Sequence, residues 1–257
     1  MRVRGYAPAT PCWSVLSSGD PAAAAEFYCG LFGWTTEPTE DGATTFLLHG
    51  LAVAGLAASP SGRSAWLTYI STADADATTA TVAEAGGTVL QPPVDLAGRG
   101  RAALFSDPAG GVFGVWQRGR FAGAQVTNEP SSICWSETVT RDVPAAAAFY
   151  GKVFGWTEQE GTAVVEHEYH EWISANRVVG GLSPMGEQYP PETPQHWRTI
   201  FTIDDCAGFV ERAKALGGRV LAGPIDAGIG FAAQVMDPTG GSFLAIDLVP
   251  ELRELLG

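Results

Sequence analysis

The chain has 257 residues, 46% of them hydrophobic and 17% charged, with a formal net charge of −13. That length buries sizeable cores and suits two domains of ordinary size. The acidic excess repels nucleic-acid phosphates and anionic membrane surfaces, which sets both aside as partners, and weakly attracts a cationic small molecule over about a Debye length.

Residues 11–17 read as a strand. Asp20 is a helix N-cap, Pro21 suits the first helical position, and Phe27, Tyr28, Leu31 and Phe32 form an apolar stripe that Gly33 ends. Residues 44–48 and 51–57 form two strands joined at His49-Gly50, and 66–71 form another. Asp74 caps a second helix ending at Gly86-Gly87. A short strand or loop starts at Val89-Leu90, and 102–106 form a strand. Asp107-Pro108-Ala109-Gly110-Gly111 is a turn, and 112–117 close the unit. Residues 118–131, with Gly119, Gly123 and Pro130, read as the linker.

The plan then repeats. Cys12-Trp13-Ser14, Asp20, Phe27-Tyr28 and Phe32-Gly33-Trp34 recur as Cys134-Trp135-Ser136, Asp142, Phe149-Tyr150 and Phe154-Gly155-Trp156, at a constant offset of 122. The chain is thus an internal duplication, with domains expected at 1–121 and 122–257. In the second copy, strands are expected at 133–140, 169–174, 177–182, 197–203, 231–236 and 242–248. Asp142 and Asp205 cap its helices, 183–193 form a Pro-rich loop, Asp237-Pro238-Thr239-Gly240-Gly241 mirrors the first turn, and 249–257 form a short terminal helix. Each half also contains a smaller repeat: strand-helix-strand-strand, then strand-helix-strand-strand-strand. The fold class is α+β.

The four cysteines, Cys12, Cys29, Cys134 and Cys206, form no C-x-x-C pair, so zinc-ribbon and thioredoxin readings fall. Cys12 and Cys134 recur at equivalent places and read as small buried residues rather than a disulfide. Residues 1–10 carry Arg2 and Arg4 with no apolar core after them, so no signal peptide is expected. The most apolar run, 47–58, is interrupted by His49 and two glycines and is too short to span a membrane. A cytoplasmic location is expected.

The strand leading into Asp20 or Asp142, the helix with Phe-Tyr, the Phe-Gly-Trp after it and the Asp-Pro-x-Gly-Gly turns resemble the vicinal-oxygen-chelate superfamily, also called the glyoxalase/bleomycin-resistance/extradiol-dioxygenase superfamily. The resemblance runs from about Pro11 to Leu248. It implies two βαβββ modules in each half, forming a curled sheet around a cavity, and it is similar to two-copy bacterial members labelled glyoxalase-like or hydroxylase. Metal-using relatives carry His, Glu or Gln at four strand positions. Here those positions hold Trp13, Leu67, Gly114 and the Gly55-Leu56 region in the first half, and Trp135, Arg198, Leu244 and the Gly181-Leu182 region in the second. Indole, methylene and guanidinium groups do not ligate divalent cations, so no metal and no other cofactor is expected.

Strand alternation places Val15 with Trp13, Tyr69 with Leu67 and Trp116 with Gly114 on the first cavity's wall. This aromatic lining suits a flat hydrophobic ligand, or simply fills the space a metal once held. In the second cavity Glu137 shares a face with Trp135, and His196 with Arg198. Glu137 paired to Arg198, with His196 free to titrate, suits general acid–base work; a salt bridge that only holds the fold fits the same pattern. His167, Glu168 and His170 sit in a charged stretch and read as solvated, as does His49 at a hairpin turn.

Three readings follow. One is metal-independent binding of a small aromatic or drug-like molecule, resembling the sequestering bleomycin-resistance branch, as a resistance or secondary-metabolism accessory. Another is a metal-free isomerase, cyclase or hydroxylase-type enzyme using Glu137, His196 and Arg198, and the third a metalloenzyme with displaced ligands. The expected partner is an aromatic, cationic small molecule lying against Trp13, Val15, Leu67, Tyr69, Trp116 and Trp135. The chain is expected to be a monomer whose halves mimic a dimer, or a loose homodimer.

Overall fold

The computed structural model describes residues 1–161, 169–187 and 189–256. The first module comprises β1 (Pro11–Ser18), α1 (Pro21–Phe32), β2 (Thr35–Pro38), β3 (Thr44–Leu48) and β4 (Leu51–Ala58). The second comprises β5 (Ala65–Thr72), α2 (Ala75–Glu84), β6 (Thr88–Asp95), β7 (Gly100–Ser106) and β8 (Val112–Arg118). The third comprises β9 (Ile133–Thr140), α3 (Val143–Phe154), β10 (Thr157–Glu160), β11 (His170–Ser174) and β12 (Arg177–Pro184). The fourth comprises β13 (His196–Thr202), α4 (Cys206–Ala215), β14 (Arg219–Asp226), β15 (Gly230–Met236) and β16 (Ser242–Leu248), and α5 (Pro250–Leu256) follows. All four modules are βαβββ.

The expected helix signals operate as chemistry. Asp20 accepts from the Ala23 amide at 3.1 Å and Asp142 from that of Ala145 at 2.9 Å, each filling an orphan donor of the first turn. Gly33 and Gly155 then take φ of 71° and 70°, a left-handed C-cap that a side chain would strain. The sequence underestimated the strands. β2 and β10 are short, fully exposed and polar, so they carry no alternation to read. β6 and β14 are full edge strands of 8 residues, where only a short strand or loop was expected from Val89-Leu90 and no strand at 219–226; each carries proline, which an edge strand tolerates.

Each half is one eight-stranded mixed sheet, β2-β3-β4-β1-β5-β8-β7-β6 and β10-β11-β12-β9-β13-β16-β15-β14. The central strands β1 and β5 pair antiparallel, as do β9 and β13, so the two modules of each half share one curled sheet.

The convex faces are where the halves meet, and they do so reciprocally. Phe27, Tyr28, Phe32 and Trp34 of the first module pack with Phe201, Phe209, Val235 and Phe243 of the fourth. Phe105, Phe113 and Val115 of the second pack with Phe149, Tyr150 and Trp172 of the third and Trp197 of the fourth. Each core carries one polar relay. The Trp66 indole donates to the Tyr28 hydroxyl at 2.9 Å, which donates to Asp237 at 2.8 Å. Trp197 donates to Tyr150 at 2.8 Å, which donates to Asp107 at 2.7 Å, and Gln195 donates to the same Asp107 oxygen. The Phe-Tyr helix motif of one half therefore serves the Asp-Pro-x-Gly-Gly turn of the other. Both aspartates are only 3% exposed, and their second oxygens accept the turn amides of Gly111 and Gly241.

The connection between halves is structured. The amides of Ala124 and Gln125 bond to the carbonyls of Cys12 and Ala52, and the Ser131 amide to that of Thr202. All four cysteines are free thiols. Among the described residues no helix is long and apolar enough to cross a membrane.

Candidate functional site

The concave faces of the two sheets carry the expected site residues, and the duplication is least symmetrical there. In the first half Val15 lies opposite Gly55 on one side and Leu67 on the other, while Trp13 lies opposite Tyr69, which adjoins Gly114. Trp13, Tyr69 and Trp116 are buried in one cluster, with Val15 and Leu67 packed against it. All five expected first-cavity residues are thus together. Sequence reasoning missed what covers them. Phe121, from the connection, meets Trp13 edge-on at 4.9 Å, and its carbonyl accepts from the Trp116 indole at 3.0 Å. Tyr6 packs alongside, its hydroxyl donating to the Ala124 carbonyl at 2.8 Å. Burial raises the Tyr69 phenol to about 12 and pushes the Cys12 thiol up as well.

This face is a packed core. A Cβ on Gly114 would stand 2.4 Å from the Tyr69 ring, and one on Gly55 3.2 Å from the Trp13 indole nitrogen. Gly114→Ala is accordingly expected to destabilise the protein by about 1–3 kcal/mol through overpacking, read as a lower urea midpoint. Loss-free substitution there would show that Tyr69 is mobile.

In the second half the same rows are charged. Glu137 lies opposite Gly181 and Arg198, in the places taken by Val15, Gly55 and Leu67 in the first. Glu137 is 3% exposed. Arg198 Nε donates to Glu137 Oε1 at 2.6 Å, and Nη2 donates to the same oxygen. Glu137 Oε2 accepts from the Tyr169 hydroxyl at 2.9 Å, and that hydroxyl accepts from the Trp135 indole at 2.8 Å. Arg198 Nη1 donates to the Tyr189 hydroxyl at 3.2 Å. Burial opposes the charge on Arg198, but the Glu137 carboxylate outweighs it and holds the guanidinium firmly protonated. Burial first, and then the Glu137 charge, pushes the Tyr169 phenol well up.

The structure thus joins Glu137, Arg198 and Trp135. It places His196 two register pairs along, opposite Val139, where its Nδ1 contacts the Pro194 carbonyl at 3.0 Å. Burial lowers the His196 pKa. Both Glu137 oxygens are engaged by Arg198 and Tyr169, so Glu137 and His196 share a face without a hydrogen bond between them.

Tyr169 and Tyr189 were not foreseen. The signal for Tyr169 was Gly181: without a side chain beside Glu137 it leaves a gap, and a Cβ there would fall 1.9 Å from the Tyr169 hydroxyl. Of the other histidines, His167 lies outside the described residues, as does Glu168. His170 Nδ1 is 2.7 Å from Glu158 and partly buried, and His49 sits exposed at a hairpin corner with φ of 51°. Between the halves lies a cavity of about 300 Å³, bordered by Tyr6, Cys12, Trp13, Cys134, Trp135 and Val179.

The four strand positions used for metal in this kind of fold do not fit a divalent cation here. Rings occupy the space over Gly55 and Gly114. In the second half a guanidinium already holds the carboxylate, and a second cation beside it would be repelled. Among the described residues no three His, Cys, Asp or Glu side chains converge.

Paired βαβββ modules in curled sheets define a vicinal-oxygen-chelate protein. Residues 13–116 match the family described as "Glyoxalase-like domain", and residues 132–243 match the "Glyoxalase/Bleomycin resistance protein/Dioxygenase superfamily". The chain belongs to this superfamily and carries two of its domains. It is 38% identical to the "Anthracycline biosynthesis protein DauV" of Streptomyces sp. (strain C5), across 95% of this chain and 94% of that one. It is 34% identical to the "Putative glyoxylase CFP32" of Mycobacterium bovis, across 96% and 97%. The fold is similar to a Mn(II)-bound glyoxalase from Novosphingobium aromaticivorans, with a TM-score of 0.63 and 19% identity over 94% of this chain and 83% of that one.

Proposed function

We propose that the chain binds a flat aromatic small molecule on the concave face of its second half, without metal, as an accessory protein of secondary metabolism. The observation that carries this is the asymmetry of the two faces. The first is filled by Trp13, Tyr69, Trp116 and Phe121, whereas the second keeps Trp135 only partly buried beside the Glu137–Arg198 pair. A partly exposed ring next to a fixed polar pair offers a stacking surface and one oriented contact, the usual division of labour in a small-molecule site. Relatives named for anthracycline biosynthesis support a polycyclic aromatic ligand and an accessory role in its production. The protein would act in the cytoplasm as one chain, its halves standing in for a dimer.

Titrating tryptophan fluorescence with a panel of aromatic natural products tests this. Saturable quenching is expected, with Trp135→Phe weakening it about two- to tenfold, the worth of one stacking contact. Flat responses across the panel would remove the reading.

One observation favours a second reading, a metal-free enzyme. A carboxylate and a phenol already share a hydrogen bond at 2.9 Å inside the site, with His196 on the same face, so a proton could move among them. Here Glu137→Gln abolishes turnover of a bound carbonyl or phenolic substrate and leaves its affinity largely intact. Equal loss of both leaves binding alone.

A further inference from the structure

Arg198 stands where relatives of this fold place a metal ligand, and it brings a positive charge of its own. Its planar group carries five N–H donors. Two point at Glu137 and one at Tyr189, which leaves two without a protein acceptor among the described residues. The side chain is 14% exposed, so those donors are largely shielded from bulk water. The bonds to Glu137 are short and charge-assisted. The bond to Tyr189, at 3.2 Å, lies beyond the usual range for a charged donor and is the weakest of the set. Tyr189 belongs to the connection between β12 and β13, outside the sheet. That connection is tied down by a 2.6 Å bond from Arg141 to the Pro190 carbonyl and by the Met185 amide on the Thr140 carbonyl, neither of which involves the tyrosine ring.

We infer that the Arg198 guanidinium, fixed by Glu137, is the oxygen anchor of this site: it takes a phenolate, phenolic or carbonyl oxygen of the aromatic ligand at the donor now held by the Tyr189 hydroxyl. This rests on the proposed binding of an aromatic molecule and adds what the ligand must carry. Glu137 neutralises Arg198 and sets its plane. Tyr169 holds the far carboxylate oxygen through the gap over Gly181, so the guanidinium cannot swing away. Trp135 bonds to that same tyrosine, so its ring is oriented by the same network. A ligand ring lying on Trp135 would therefore meet the anchor at its edge. Tyr189 is a placeholder: it satisfies one Arg198 donor and gives it up when a better acceptor arrives.

The test uses the full chain with two matched probes, 2-naphthol and naphthalene, read by tryptophan quenching and by the pH at which bound 2-naphthol ionises. The wild type should prefer 2-naphthol by about tenfold and lower its ionisation pH on binding, as expected of a charge-assisted bond. Tyr189→Phe should tighten 2-naphthol about threefold and leave naphthalene unchanged. The paired replacement E137Q/R198M avoids stranding a buried charge, and thermal unfolding checks that it folds. It should still bind naphthalene and lose both the preference and the ionisation shift. If the wild type binds the two probes equally, if E137Q/R198M keeps the preference, or if Tyr189→Phe weakens 2-naphthol, the anchor is refuted while aromatic binding stands. If neither probe binds the wild type, the binding reading falls first and the anchor with it.

Discussion

Tyr28→Phe is expected to destabilise the protein by about 2–4 kcal/mol, although it removes a single oxygen atom. That atom donates to Asp237 and accepts from Trp66, and both partners are buried. Its loss strands an indole N–H and leaves a carboxylate oxygen without its donor, at about 1–3 kcal/mol for each unsatisfied group. Tyr150→Phe makes the same cut in the other core but should be milder. There Gln195 still donates to the affected oxygen of Asp107, while among the described residues Asp237 has no such second side chain on that oxygen. Urea unfolding of the two variants checks both the size and the order. Equal losses would mean that Gln195 contributes nothing. Because each relay crosses from one half to the other, the transition should also stay a single cooperative step.

Arg198→Met should cost about 3–5 kcal/mol, since it leaves Glu137 buried without its counter-charge. Adding Glu137→Gln should recover most of that loss, because two neutral groups of similar shape no longer require solvation. The coupling between the two substitutions, read from a double-mutant cycle in urea, should be large and favourable. A near-zero coupling would show that the pair is solvated and does not form a fixed site. This measurement needs no ligand, so it tests the architecture of the site separately from its use.

Much of the framework was legible in the sequence, because it rests on local rules. Asp20, Asp142, Gly33 and Gly155 mark helix ends by their own backbone chemistry, and the 122-residue offset makes the duplication plain. What a repeat cannot reveal is which copy touches which. Tyr28 and Tyr150 are equivalent, yet each serves the other half's aspartate, and no periodicity encodes that exchange. The site was half legible for a similar reason. Strand alternation put Glu137, Arg198 and Trp135 on one wall. Tyr169 falls just before β11, although a strand was expected from 169, and Tyr189 lies in the connection between β12 and β13, so strand alternation gives neither a direction. Phe121 lies in what read as a linker, and its place against Trp13 follows from the connection folding back over the sheet.

The exchange of partners across the two cores has a historical consequence. A symmetric pair of identical subunits receives every substitution twice, so its two hollows must change together. Once both copies lie on one gene their shared backs remain locked to one another, while each hollow is free to accept changes the other never sees. The chain now carries valine at 15 against glutamate at 137, and leucine at 67 against arginine at 198. One copy could thus become ballast that steadies the molecule and leave its twin to specialise.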